Sequence, residues 1–280
     1  MFRRPFVTRM QMFWAIALTL VLAIPVQAAE RAKVAAFLEV TGFDVALQSI
    51  RLTAASAPEM LGIDTDAFGA DWTRLADDVF ETGIMHEMAL DILEQTLSDE
   101  LLNHAAAFYA SDLGQRLVEA ENTSHMIKDS AAKSQQGQAI VAELVEQGSD
   151  RLSSLKRMNA AIDTSDNGVR ALQEVQLRFL VAAYAAGVID LRMDIDDLRT
   201  LMQEQEGALR RAMQISGLSG AAFTYRDFSD EEVRAYAEAL EHPDMQLVYE
   251  LMNAVQYEIM ANRFEQLAAR LAELYPGQEL

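Results

Sequence analysis

Cysteine is absent from this chain, proline is scarce, and basic residues number 23 against 43 acidic ones. Without thiols there is neither a disulfide framework nor thiolate chemistry, and a chain that buries a large core can do without cross-links even in an oxidising compartment. Prolines stand at 5, 25, 58, 243 and 276, with none between Pro58 and Pro243. Helix interiors exclude proline, whereas the loops of sheet proteins usually contain some. Alternating apolar and polar runs are missing too, and β-branched clusters are few. These absences point to an all-α protein. A net charge of −20 repels phosphate backbones and anionic headgroups, which argues against nucleic acid and direct lipid-headgroup binding.

No apolar run long enough to span a bilayer appears, and the one notable run is at the start. Arg3, Arg4 and Arg9 precede the short apolar segment Phe13–Ile24, and Val26-Gln27-Ala28 follows with small residues at −3 and −1. This is the pattern of a signal peptide cleaved after Ala28. The expected address is the periplasm, with no stable membrane span after cleavage. Arg3-Arg4 is compatible with either the general or the twin-arginine route. Removing the leader takes three arginines away and leaves a charge of −23.

What the chain does contain is a stretch that occurs twice. Leu97–Asp129 aligns without a gap on the segment beginning at Phe228, at an offset of 131 residues. Ser98-Asp99-Glu100 falls on Ser229-Asp230-Glu231, and Gln115, Glu119 and Asn122 fall on Gln246, Glu250 and Asn253. Each copy reads as helix, corner, helix. Ser98 and Ser229 suit N-caps, and Ser229 with Glu232 makes a capping box. Pro243 suits the first turn of a helix. Gly114 suits a close approach between helices.

The helix after the second corner has the clearest pattern, with Val248, Leu251, Met252, Val255, Ile259, Phe264, Leu267 and Leu271 on one stripe. Helices are expected over about 30–41, 44–56, 67–80, 82–96, 98–110, 113–146, 150–162, 167–187, 195–214, 229–241 and 244–273. Residues 215–227, with Gly217, Ser219 and Gly220, read as the longest loop. Gly148-Ser149-Asp150 and 163–168 read as breaks. The second break divides two similar helical-bundle halves: 1–28 the leader, 29–163 the first half and 164–280 the second.

The segment Phe108-Tyr109-Ala110-Ser111-Asp112-Leu113-Gly114 resembles the signature of a bacterial exported family, domain of unknown function 2059: an aromatic pair, a small residue, Ser, two variable residues and Gly. The second copy departs from it, with Ala239-Leu240 in place of the aromatic pair and Met245 in place of the glycine. The resemblance implies a small helical domain in an exported protein and brings no activity or functional residue with it.

Motifs that carry chemistry fail on inspection. Ser153-Ser154-Leu155-Lys156 and Ser165-Asp166-Asn167 imitate two boxes of serine β-lactamases, but they lie too close together and no Lys-Thr-Gly follows. Gly217-Leu218-Ser219-Gly220-Ala221 lacks the last glycine of a nucleophile elbow. His86-Glu87 is followed by Leu90 where a zincin needs its second histidine. Asp64, Asp66 and Gly69 begin an EF-hand pattern that Phe68 and Leu75 break. Glu100/His104 and Glu121/His125, each four apart, read as exposed pairs on a helix face. Asp194-Ile195-Asp196-Asp197 and Asp77-Asp78 read as helix N-termini or solvated faces.

No catalytic, cofactor-binding or metal residue is assigned. The methionines Met85, Met88, Met193, Met202, Met213, Met245, Met252 and Met260 read as gap-filling core. A sharper alternative is an apolar groove between helices, with Phe108, Tyr109, Tyr184, Tyr236 and Tyr257 at its rim. The leading expectation is a non-catalytic protein-interaction or chaperone-like module. A carrier of a small apolar ligand comes second and an enzyme third. Partner identity and oligomeric state are not encoded legibly.

Overall fold

The computed structural model describes residues 29–54, 69–162 and 165–274, and every regular element among them is a helix. The expected leader, residues 1–28, and the EF-hand-like residues 64–68 lie outside the described residues, as do 163 and 164 at the expected boundary between halves. No described helix is long and apolar enough to cross a membrane.

In chain order the helices are α1 (Arg31–Val40), α2 (Phe43–Ala54), α3 (Gly69–Val79), α4 (Thr82–Thr96), α5 (Asp99–Tyr109) and α6 (Asp112–His125). Then come α7 (Ser130–Gln147), α8 (Asp150–Ile162), α9 (Ser165–Ala185), α10 (Ile195–Thr224), α11 (Asp230–Leu240) and α12 (Pro243–Leu274). The caps follow the sequence. Ser98 Oγ accepts from Leu101 N–H at 3.3 Å. Ser229 and Glu232 form the reciprocal box, at 3.2 and 2.8 Å. Asp194 caps α10 through Asp197 N–H at 2.8 Å, which accounts for that acidic cluster. Gly148 ends α7 with φ +61°, a left-handed turn that a Cβ would strain.

The helix limits repeat at the sequence offset: α5 and α11 begin and end 131 residues apart, and so do the starts of α6 and α12. The surroundings of equivalent residues differ. Asn122 is pressed against the Gly42 turn, where an added Cβ would lie 2.4 Å from its Oδ1. Asn253 instead donates to the Ile162 carbonyl at 3.0 Å, at the end of α8.

α12 is the axis of the fold. Its 32 residues extend about 48 Å at 1.5 Å per residue. One face packs along α9 and another on α5, α4 and α3. The stripe read from the sequence is its core face: Val248, Val255, Ile259, Phe264, Leu267 and Leu271 are all buried. Phe264 meets Phe80 edge-on at 5.1 Å and Phe179 at 5.2 Å, and so joins elements from either side of the expected boundary. Most of the buried apolar side chains among the described residues form one continuous cluster from Ala29 to Leu271. Arg178 of α9, reaching Glu258 at 2.9 Å and Glu265 at 2.7 Å, laces the outside of the α9–α12 pair.

Two expectations are corrected. Residues 215–224 are not loop but the last turns of α10. Of the small residues that read as loop, Ser219 stands at a close contact between helices. Gly137 of α7 lies so close to α10 that a Cβ would stand 2.1 Å from the Ser219 carbonyl oxygen, and Ser219 Oγ is turned back onto Ile215 O at 2.8 Å. Glycine costs helix propensity, but it lets two helices touch backbone to backbone. The helix expected over 113–146 is two. It breaks at 126–129, where Asp129 caps α7 through Ala132 N–H at 2.8 Å and Lys133 Nζ reaches back to the Ser124 carbonyl at 2.9 Å.

Candidate functional site

Three features of the described residues are candidates: a cavity, a buried polar hub and a histidine pair.

The cavity lies between α8, α9, α10 and α12 and has a volume of about 1000 Å³. Its walls follow from helix spacing. Ile162, Ala171, Leu218, Ala254 and Met213 give an apolar lining from four helices. Polar side chains stand among them: Asn159, Gln214, Glu250 and Asn253, with Lys156 and Arg211 as the cations. Ile215, 59% exposed, is also in the lining. Predominantly apolar walls with a few polar groups are the common form of a small-molecule pocket.

Of the residues assigned to a possible groove, Met213 and Tyr257 line this cavity. Met85 and Met245 are buried core, as the plainer reading had it, and Met193 is exposed. The lining glycine Gly217 and Lys156 belong to the failed motifs. Ser154, beside Lys156, is buried.

The hub is where the aromatic residues went. Tyr109 (α5) and Tyr236 (α11) are buried, while Tyr184 is exposed. Tyr225, at the end of α10, donates to Glu121 Oε1 at 2.6 Å, and Tyr236 donates to the same oxygen at 2.9 Å. Tyr249 (α12) is 3.0 Å from the Tyr236 hydroxyl and also hydrogen-bonds Tyr109. The expectation of an exposed Glu121/His125 pair is therefore corrected. Glu121 faces inward, because the Tyr225 and Tyr236 phenols supply what solvent would otherwise supply. Burial pushes its carboxyl above the ordinary glutamate value, and the two phenol donors pull the other way. Burial and the nearby Glu121 charge push all four tyrosines up. The spacing of these five residues along the chain gives no hint of their meeting.

Around the hub, Phe108 stacks on Tyr236 at 5.6 Å. Arg151, 8% exposed, donates to the Tyr225 and Phe228 carbonyls at 2.5 and 2.8 Å and pairs with Asp230 at 2.8 Å. Those carbonyls lie in the bend from α10 to α11, and the arginine holds that bend. None of the five hub residues lines the cavity. The hub is a packed strut that joins α5, α6, α11, α12 and the end of α10.

The histidine pair joins α5 to the corner before α12. His104 of α5 stacks on His242 with ring centroids 4.2 Å apart, and Asp244 lies beside both. The expected Glu100/His104 pairing overlooked this, because His242 occupies the corner position that Ser111 fills in the first copy. His86, the zincin-like residue, instead places Nδ1 2.6 Å from Asp44 Oδ1.

No curated protein and no solved structure matches the chain. Residues 84–144, from α4 through most of α7, match a family described as "Uncharacterized protein conserved in bacteria (DUF2059)".

Proposed function

We propose that the protein is an exported, non-catalytic binding protein that holds a small amphipathic molecule between α8, α9, α10 and α12. The carrying observation is the cavity of about 1000 Å³, near the upper end of the usual range for ligand pockets. An apolar body would lie against Leu218, Ala254 and Ile162. A polar or anionic head would be met by Lys156 and Arg211, two cations at the cavity of a strongly acidic chain. The sequence alone put a protein partner first; the cavity reverses that order. Export rests on the basic and apolar leader and on the resemblance around Phe108–Gly114.

Native mass spectrometry of the protein purified from its own periplasm, without detergent, tests this reading. The expected result is an adduct of one small molecule per chain, released on denaturation. A clean apo mass, together with no binding of the apolar dye 1-anilinonaphthalene-8-sulfonate, would sink it.

A second reading, a protein partner, is favoured by the exposure of Tyr184, Met193, Ile195 and Leu201 around the turn from α9 to α10. Cross-linking in periplasmic extract followed by pull-down tests it, and recovery of no partner counts against it.

A further inference from the structure

We propose that His104, His242 and Asp244 form a binding site for a divalent transition-metal ion of the zinc type, clamping α5 to the α11–α12 corner. The three side chains each offer a ligand atom, and these atoms lie within 4.8 Å of one another. His104 Nδ1 and His242 Nδ1 stand 4.0 and 3.7 Å from the same oxygen, Asp244 Oδ2. Ligand atoms around a tetrahedral zinc at about 2.0–2.1 Å lie about 3.4 Å apart. Each histidine–Asp244 pair therefore needs to close by only about half an ångström, and the two imidazoles by no more than about 1.4 Å.

The donor set fixes the chemical class. Two imidazoles and one carboxylate suit zinc and its neighbours, whereas magnesium and calcium prefer oxygen alone. Three protein ligands leave a fourth position for water. The site is also partly pre-organised. The two rings are already stacked, with planes 27° apart, and they come from different copies of the repeat. His242 and Asp244 are held in register by Pro243, the first residue of α12. Binding has a local cost: His242 Nδ1 now accepts from Asp244 N–H at 3.3 Å, and the ion would take over that lone pair. The site is independent of the cavity, since none of its residues lines it.

The test is isothermal titration of the untagged full-length protein with zinc chloride, beside His104→Ala, His242→Ser and Asp244→Asn. His242→Ser keeps an N-cap of the kind found at Ser111 while removing the imidazole, so a loss of binding is separable from a loss of the helix start. One zinc per chain is expected, weakened at least ten-fold in both histidine variants while the helical circular dichroism is unchanged. Ring resonances of His104 and His242 should move together on zinc addition, with those of His86 and His125 still. No saturable binding by the wild-type protein overturns the proposal. So does binding that survives His104→Ala and His242→Ser combined, or zinc-induced shifts confined to His86 or His125.

Discussion

Tyr236 of α11 donates its hydroxyl to Glu121 Oε1 of α6 at 2.9 Å, across 115 positions of sequence. Because Tyr225 donates to the same oxygen, this carboxyl ties three helices together, and its protonation is coupled to folding.

Stability should therefore depend on pH through Glu121. An unfolded glutamate titrates near 4.5, and the folded carboxyl titrates higher because burial penalises its charge. Below 4.5 both states hold the proton, and the neutral acid's contribution is fully present. As pH rises through the folded value, the proton must leave a desolvated site, so stability falls. Glu121→Gln removes this dependence. The difference in melting temperature between wild type and Glu121→Gln, measured from pH 4 to 8, should shift against the wild type as pH rises. A flat difference would remove Glu121 as the cause.

Tyr236→Phe keeps the stack on Phe108 and deletes only the hydroxyl that joins Glu121 and Tyr249. Leaving buried acceptors short of a donor should cost about 1–3 kcal/mol. Tyr236→Ala adds a cavity and should cost about 3–5 kcal/mol. Urea denaturation resolves the two, and near-identical losses would mean that the hydroxyl carries no weight.

Arg151→Met should destabilise by about 2–4 kcal/mol. It strips donors from the Tyr225 and Phe228 carbonyls and leaves Asp230 in water, where its own penalty is small. Arg151→Lys recovers the charge but not the fork, so it should fall between the two in chemical denaturation.

Two glycines in helices should respond oppositely to alanine. At Gly137 the new Cβ would strike the Ser219 carbonyl, so α7 and α10 must separate, at about 1–3 kcal/mol. At Gly207, where the nearest neighbour is the Arg211 guanidinium at 3.7 Å, alanine should stabilise by up to about 1 kcal/mol through helix propensity. Paired thermal melts check both signs.

Ala254→Trp should fill the cavity and abolish dye binding without lowering the melting temperature. Undiminished dye fluorescence would place the dye elsewhere.

The sequence made the local chemistry legible. Ser98, Ser229 and Pro243 begin helices, Gly148 ends one, and the stripe from Val248 to Leu271 is the core face of α12. Each of these is settled within a few residues of chain. It misled where a residue's role depends on a distant neighbour. Ser219 read as loop because its close neighbour, Gly137 of α7, is some eighty residues away. Glu121 read as exposed because its partners lie on α10 and α11. The cavity and the His104–His242 stack are likewise products of assembly, with no periodicity to announce them.

Ala29, buried and donating its backbone N–H to the Leu97 carbonyl at 3.1 Å, is also the first residue of the expected mature chain. A peptidase needs its scissile bond within reach, and the seated Ala29 is buried. On the export reading, leader removal thus precedes the docking of this segment. On that reading the new amine would meet the Leu97 carbonyl, one residue before the Ser98 cap of α5.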